Sequence, residues 1–324
     1  MTSVAGATTG VTASRLQGAN RYSTAAAMAE ATFPKGSNVA VLASGDTFPD
    51  ALSAAYLAGR MSAPVLLSAK GSLPAETASA LSALKVNQVD IVGGPAAVSA
   101  GVEQTLKNDG YMVRRLYGAN RDVTAQVVAE AYPSSTVGSL GSDGPTAVVA
   151  TDRNFPDALT GSPMAYAAAF PILMTPPTTL SAAAKTALGD LGISHVLVLG
   201  GTSAISTAVV NAITAMHITV TRVAGANRTQ TATDIANLEL GQLHWSGAHV
   251  NLARGDNFPD ALAGGAHAGT EKEPIVLAAT PNVLGSATTA WLKAHSSTLT
   301  SIHVFGGTAA ISNATEAAAL AAAR

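Results

Sequence analysis

Two kinds of side chain recur in this sequence where they could handle charge. Arg21, Arg121 and Arg228 each follow an asparagine at an expected helix start. Asp50, Asp157 and Asp260 each follow a Phe-Pro pair at another. The forked guanidinium of arginine suits two uses. It could pair with the aspartates and tie elements or neighbouring repeats together, or three arginines could gather and clamp an acidic or phosphorylated polymer. Asp46 and Asp50 resemble paired carboxylates set for acid–base work. The second copy argues against that, because Arg153, preceded by Asp152, stands where Asp46 and Asp256 stand. Aspartate at a helix start is expected to cap it. The pairs Gly93-Gly94, Gly200-Gly201 and Gly306-Gly307 could cradle a phosphate at a helix N-terminus, or simply form a tight strand-to-helix turn. None extends into Gly-x-Gly-x-x-Gly or a P-loop.

Other chemistry finds little support. There is no cysteine, which removes disulfides, thiolate metal sites and cysteine nucleophiles. The seven histidines do not recur with the repeat. His244 and His249 flank Trp245 in an expected loop with no acidic partner at metal spacing, so neither a metal nor a cofactor is expected. Ser82-Ala-Leu-Lys85 matches the Ser-x-x-Lys nucleophile pattern in one copy only, at a helix end and without Lys-Thr-Gly. An enzyme is therefore not expected.

The elements that must position these residues are written three times. Arg15-Leu-Gln-Gly-Ala-Asn-Arg21 returns as Arg115-Leu-Tyr-Gly-Ala-Asn-Arg121 and Arg222-Val-Ala-Gly-Ala-Asn-Arg228. Each is followed by Phe-Pro-Asp-Ala-Leu, beginning at Phe48, Phe155 and Phe258, and then by a Gly-Gly pair. Corresponding positions lie about 100 to 107 residues apart, so the copies consume nearly all 324 residues. In the first copy, helices are expected over 20–33, 48–61, 74–84 and 96–108, a short buried strand over 39–43 and further strands over 64–68, 89–92 and 111–116. Asn20 is the expected N-cap of the first helix, and Pro49 falls in the first turn of the second. This alternation implies α/β units with mostly parallel sheets and right-handed crossovers. The repeated phrases then fall at the carboxyl edge of each sheet, the usual ligand edge.

One strand is left over at each end of this scheme. The segment before each internal Gly-Ala-Asn-Arg follows the last helix of the preceding copy, but the third copy ends on its helix. Residues 11–16 supply an unmatched strand at the start. If that strand completes the third sheet, the chain closes as a pseudo-threefold ring; the alternative is that residues 1–17 begin their own unit.

Charged residues make up 12% and aromatics 4% of the chain, and the formal charge is −2. This gives no general attraction to nucleic acid or anionic membrane. No apolar run reaches transmembrane length, so no membrane insertion is expected. Met1-Thr-Ser-Val lacks a basic start and a hydrophobic stretch, as in a cytosolic protein or a mature domain whose leader has been removed.

The motif set resembles the type 2 cell-wall-binding repeat family. The resemblance rests on Arg-x-x-Gly-Ala-Asn-Arg with Thr24, Thr124 and Thr231 three residues on, on Phe-Pro-Asp-Ala-Leu and on the Gly-Gly pairs. It also includes the proline-led strands Pro64-Val-Leu-Leu67, Pro171-Ile-Leu-Met174 and Pro274-Ile-Val-Leu277. It implies three repeats, over 1–114, 115–221 and 222–324, folded as Rossmann- or Toprim-like α/β units in a pseudo-trimer. It further implies a secreted protein of a Gram-positive bacterium, held non-covalently on an anionic wall polymer such as a teichoic-acid-like chain or secondary wall polysaccharide. Attached domains of a longer protein would usually supply the distinct function. The contacts carried over are the motif arginines (Arg15, Arg115, Arg222 with Arg21, Arg121, Arg228) and the proline-led strands; the repeated aspartates and glycine pairs are further candidates from the motif reading. Because proteins with these repeats are also labelled amidase-related, a peptidoglycan hydrolase or its activator is the alternative expectation, and surface-layer assembly is a third. Asp152-Arg153 and Thr229-Gln230 depart from the first copy, so the units need not contribute equally.

Overall fold

Short runs rich in alanine, valine and leucine build the inner strands of each sheet, which are largely buried on both faces, while residues 12–16, 112–116 and 219–223 stay partly exposed. The computed structural model describes residues 10–48, 50–154 and 156–324. The readings of Met1-Thr-Ser-Val, Pro49 and Phe155 lie outside these residues.

The described strands form three four-stranded sheets whose ladders all run parallel. β1 (Thr12–Leu16) comes first in the chain. The first sheet holds β2 (Val39–Ser44), β3 (Val65–Ser68), β4 (Gln88–Val92) and β5 (Met112–Leu116), in the order β3-β2-β4-β5. The second repeats that order with β6 (Thr146–Thr151), β7 (Ile172–Thr175), β8 (His195–Leu199) and β9 (Thr219–Val223), as β7-β6-β8-β9. The third has only β10 (His249–Arg254), β11 (Ile275–Ala278) and β12 (Ser301–Phe305) of its own, in the order β11-β10-β12. β1 fills the fourth place, pairing with β12 from Thr12↔Ser301 to Leu16↔Phe305. The unmatched N-terminal strand thus completes the third sheet, as β5 and β9 complete the other two. The boundaries drawn at 114/115 and 221/222 fall inside β5 and β9.

Each sheet has two apolar faces. One covers a private core, such as Leu42, Leu66, Leu81 and Ile91 in the first unit. The other feeds a core common to all three units, which includes Tyr56, Phe170 and Phe305, all wholly buried. Three helices run through this common core and touch one another pairwise: Ala54–Met61, Ser162–Ala167 and Pro259–Glu271. Their approach is close enough to require glycine. A Cβ on Gly59 would lie 2.2 Å from the Tyr166 carbonyl oxygen, and one on Gly265 2.2 Å from Ser162 Oγ.

Two expected helices differ from the sequence reading. The one expected over 48–61 starts as a 3-10 turn, Asp50–Ser53, before the α-helix begins at Ala54. Its counterpart in the second unit breaks at Gly161, between Pro156–Thr160 and Ser162–Ala167. Only the third copy is continuous. Ser53 Oγ bonds the Asp50 carbonyl at 2.9 Å, and Thr160 Oγ1 bonds the Asp157 carbonyl at 3.2 Å. Ala263 holds the same place in the third unit and has no hydroxyl to compete with helical bonding. The helix expected over 96–108 begins only at Ala100, capped by Ser99, after a turn in which Ala97 and Val98 donate to the Gly94 carbonyl.

Candidate functional site

The Gly-Ala-Asn-Arg phrase folds as one compact loop-to-helix joint. The Asn20 side chain accepts from the backbone N–H groups of Tyr22 and Ser23, and Asn120 and Asn227 repeat this cap. The hydroxyls of Thr24, Thr124 and Thr231 accept from Gly18, Gly118 and Gly225 at 3.0, 3.1 and 3.1 Å. The second arginine then reaches back across the sheet edge. Arg21 donates to the Gly45 carbonyl, Arg121 to Asp152 at 2.6 Å, and Arg228 to Gly255 at 2.6 Å. One of its five N–H donors is fixed in this way and orients the head.

The first arginine of the phrase has a different environment. Arg115 is 8% exposed and donates to the carbonyls of Gly93 and Val98 and to the Glu103 carboxylate. Arg15 bonds the Gly306 carbonyl and Glu316, and Arg222 the carbonyls of Gly200 and Ile205. These three guanidiniums tie the last strand of each sheet to the glycine turn of the strand beside it.

Each glycine pair sits in the turn after its strand, several residues before the next helix begins at Ala100, Thr207 or Asn313. The first glycine of each has positive φ (+114°, +95° and +90°), and its N–H bonds the neighbouring strand: Gly93 to Leu116, Gly200 to Val223, Gly306 to Leu16. It also makes room for an aspartate. A Cβ would lie 3.0 Å from Asp50 Oδ2 at Gly93, 2.3 Å from Asp157 Oδ2 at Gly200 and 2.4 Å from Asp260 Oδ2 at Gly306. The second glycine of each pair lines a cavity instead.

Three equivalent cavities lie at the carboxyl edges, each in the seam between one unit and the next. Asp50 and Gly94 of the first unit face Asn120, Arg121 and Thr124 of the second around about 610 Å³. Asp157 and Gly201 face Asn227, Arg228 and Thr231 around about 400 Å³. The third seam joins the ends of the chain, with Asp260 and Gly307 facing Asn20, Arg21 and Thr24 around about 290 Å³. Arg121, Arg228 and Arg21 therefore each face the motif aspartate of the neighbouring repeat. Burial raises the pKa values of Asp50, Asp157 and Asp260; a hydrogen bond with Thr124 and then Arg121 pull Asp50 back, Arg228 pulls Asp157 back, and Arg254 of the same unit with Arg21 across the seam pull Asp260 back. Arg15, Arg115 and Arg222 line none of these cavities.

The seams differ in charge. The first carries Asp46 and Asp50 against Arg121. The second carries Arg153 and Arg228 against Asp157, and the third Arg21 and Arg254 against Asp260. Asp46 accepts from Tyr22 Oη at 3.0 Å and from the Lys70 N–H at 2.9 Å, and burial with this carboxylate pushes the Tyr22 pKa up to about 12. In the second unit Asp122 replaces Tyr22; burial and then Asp152 raise its pKa to about 6.

Two further features were not read from the sequence. The ring of Phe258 lines the first seam although it belongs to the third unit. It meets Phe48 edge-on at 5.8 Å, with the Arg21 guanidinium 5.9 Å from its centroid. Its repetition within Phe-Pro-Asp was a signal, but convergence of the phenylalanines has none in one dimension. The proline-led strands, expected to touch a polymer, are core instead: Leu66, Leu67, Leu173, Met174 and Val276 are wholly or almost wholly buried. His249 also differs from its reading. It opens β10 rather than lying in a loop, and an acidic partner, Glu273, comes within metal-binding distance of it together with His303.

Residues 15–103, 115–210 and 222–316 match the cell wall binding domain 2 (CWB2) family. The chain is 33% identical over 263 residues to the N-acetylmuramoyl-L-alanine amidase LytC of Bacillus subtilis (strain 168), covering 81% of this chain and 49% of that protein. It is 30% identical over 274 residues to the amidase enhancer of the same organism, covering 84% and 36%. The chain thus spans half or less of the curated relatives it matches. Among solved structures, Cwp8 from Clostridium difficile superposes with a TM-score of 0.81 at 26% identity, over 97% of this chain and 52% of that one. Cwp6 from the same organism superposes with a TM-score of 0.82 at 23% identity, over 96% and 48%. Three motif-bearing seams on three parallel α/β units, together with three family matches in register with them, make this chain a member of the cell wall binding domain 2 family in three tandem copies.

Proposed function

We propose that this chain is a non-catalytic wall-binding module that holds an anionic wall glycopolymer in its three seams. The observation that carries this reading is the placement of Arg21, Arg121 and Arg228, each fixed by one hydrogen bond and each lining a cavity at the carboxyl edge of a sheet. Four N–H donors per guanidinium remain beyond that bond, enough for forked recognition of phosphate or carboxylate. Three such sites suit a repeating polymer, because linked weak sites raise overall avidity. Arg153 and Arg254 add a second guanidinium to two of the seams, each shared with its own carboxylate, Asp152 at 3.1 Å and Asp256 at 2.7 Å. Gly94, Gly201 and Gly307 leave backbone exposed for a ligand to approach.

Pairwise contact of the three central helices and the meeting of Phe48 with Phe258 support a pseudo-threefold arrangement of repeats 1–114, 115–221 and 222–324 around one axis. The amidase named among the relatives shares only about half its length with this chain, so the likeness carries wall association and not the hydrolytic reaction. The protein acts outside the cell, on the wall.

Co-sedimentation with isolated Gram-positive walls tests the proposal, before and after acid removes their anionic polymers. Binding that falls with salt and is lost on stripping is expected, with loss also in a folded R21Q/R121Q/R228Q variant. Retention on stripped walls would place the ligand on peptidoglycan and overturn the polymer reading. Release of soluble fragments from peptidoglycan would overturn the non-catalytic reading.

A further inference from the structure

The third sheet departs from the other two at its amino end, on the face turned to the common core. His249 and Asn251 stand there on β10, His303 on β12, Glu273 just before Pro274 and β11, and His267 on the covering helix Pro259–Glu271. Strand register places Val39, Val41, Asp90 and Ala63 at the matching positions of the first unit, with Leu57 matching His267. The second unit has Thr146, Val148, Leu197, Phe170 and Met164 there. A site that is largely apolar in its two counterparts has become three imidazoles, a carboxylate and an amide. Burying such groups is costly unless each finds a partner.

The partners present leave a consistent set of atoms open. Ser301 Oγ lies 2.7 Å from His249 Nδ1, Ser14 Oγ 2.7 Å from His303 Nδ1, and Thr32 Oγ1 2.7 Å from His267 Nδ1. Each Nδ1 is engaged by a hydroxyl, so Nε2 is the atom left for a ligand; on His303 it has only the Ser301 hydroxyl at 3.5 Å, the outer limit of a hydrogen bond. His303 Nε2 is 3.8 Å from Glu273 Oε2. His267 Nε2 is buried without a hydrogen-bond partner, as is Asn251 Oδ1, and the His267 ring stands perpendicular to His303 at 5.9 Å. Glu273 is buried, with a side chain 8% exposed, and burial lifts its pKa to about 7. One ligand atom from each of His249, Glu273 and His303 lies within 4.8 Å of the others. A tetrahedral zinc site with bonds of about 2 Å needs spacings of roughly 3.3 Å, so a small closure of the side chains completes it.

We propose that His249, His303 and Glu273 form a binding site for one divalent transition metal of the zinc type, with His267 beside it as a third imidazole. Two histidines and one carboxylate form a common zinc ligand set, and hydroxyls on the distal ring nitrogens are the outer partners that orient such ligands. The site braces the closure of the chain. Ser14 lies on β1 and Thr32 on the first helix, so a metal held by the third unit immobilises two elements from the first.

The test is a zinc titration of the EDTA-dialysed chain against a chromophoric zinc indicator, with melting followed in parallel. One zinc per chain and a higher melting temperature in excess zinc are expected. Affinity should drop at least tenfold in the near-isosteric Glu273→Gln variant and be lost in H249Q/H303Q. Cobalt(II) added to the unaltered chain should give the visible absorption of a low-symmetry nitrogen and oxygen site, a readout that needs no variant to fold. No saturable one-to-one binding would overturn the proposal. So would zinc binding unchanged in H249Q/H303Q, which would place the metal on other histidines. Neither result depends on wall binding.

Discussion

The carboxyl edges of the three sheets and the amino end of the third sheet follow opposite rules. At the carboxyl edges the same glycine, asparagine, arginine and aspartate appear three times, and each can be assigned a hydrogen bond or a close approach. At the amino end of the third sheet, polar groups occur once, where the other two units are mostly apolar. What is repeated builds the seam, and what is unique distinguishes one unit from its neighbours. Even within the repeated set the roles divide. The first arginine and first glycine of each motif hold the unit together, while the second arginine and second glycine face the cavity.

That division breaks first at the glycines. Gly200→Ala places a Cβ 2.3 Å from Asp157 Oδ2 at a φ of +95°. A loss of about 2–4 kcal/mol is expected in denaturant unfolding. Gly201→Ala meets nothing within 4 Å. It should stay within about 0.5 kcal/mol of the parent yet weaken wall co-sedimentation, because it lines the second seam. Equal destabilisation by both would erase the distinction between the two glycines.

The arginines should separate in the same way, with a somewhat smaller effect. Arg115→Ala strips donors from two carbonyls and a carboxylate in a nearly buried setting, at a cost of about 2–3 kcal/mol. Arg121→Gln removes one such bond and should cost about 1 kcal/mol while reducing wall binding more than its stability loss explains. If Arg115→Ala weakened wall binding with unfolding unchanged, the assignment of the two arginines would be reversed.

The smallest effect sharpens the comparison between units. Asp122 replaces Tyr22 in the second unit, and its folded pKa of about 6 stands above the usual aspartate value. A raised folded pKa means stability that is present below the unfolded value and lost as pH rises through about 6. Asp122→Asn should therefore gain on the parent in melting temperature between pH 4 and pH 7. Solvent screening of this half-exposed group keeps the gain to about 1 kcal/mol or less. A constant difference across that range would remove Asp122 as its source.

Much of the molecule was legible in the chain because its reasons are local. Asn20, Asn120 and Asn227 cap helices through bonds to the next residues, and short apolar runs between glycines become buried strands whatever surrounds them. The leftover strand at 11–16 was also readable, since counting strands across three copies exposes a vacancy in the last sheet. The reading failed where a partner comes from elsewhere in the chain. Nothing near Gly93 says that its missing Cβ leaves space for Asp50, and nothing near Pro64 says that Leu66 and Leu67 face two cores and never solvent.

By itself, then, the sequence determined the repeat, the parallel α/β unit, the caps and the residues that recur at each sheet edge. These depend on spacing and backbone geometry within a few turns of chain. Tertiary structure decided which arginine faces a seam and which is built into the unit, and that each seam-facing arginine looks onto the aspartate of a neighbouring repeat. It also brought His249, Glu273 and His303 together from three separate segments. The physical reason is that parallel strands set side by side residues tens of positions apart, and charge and metal-binding chemistry depend on distance in space.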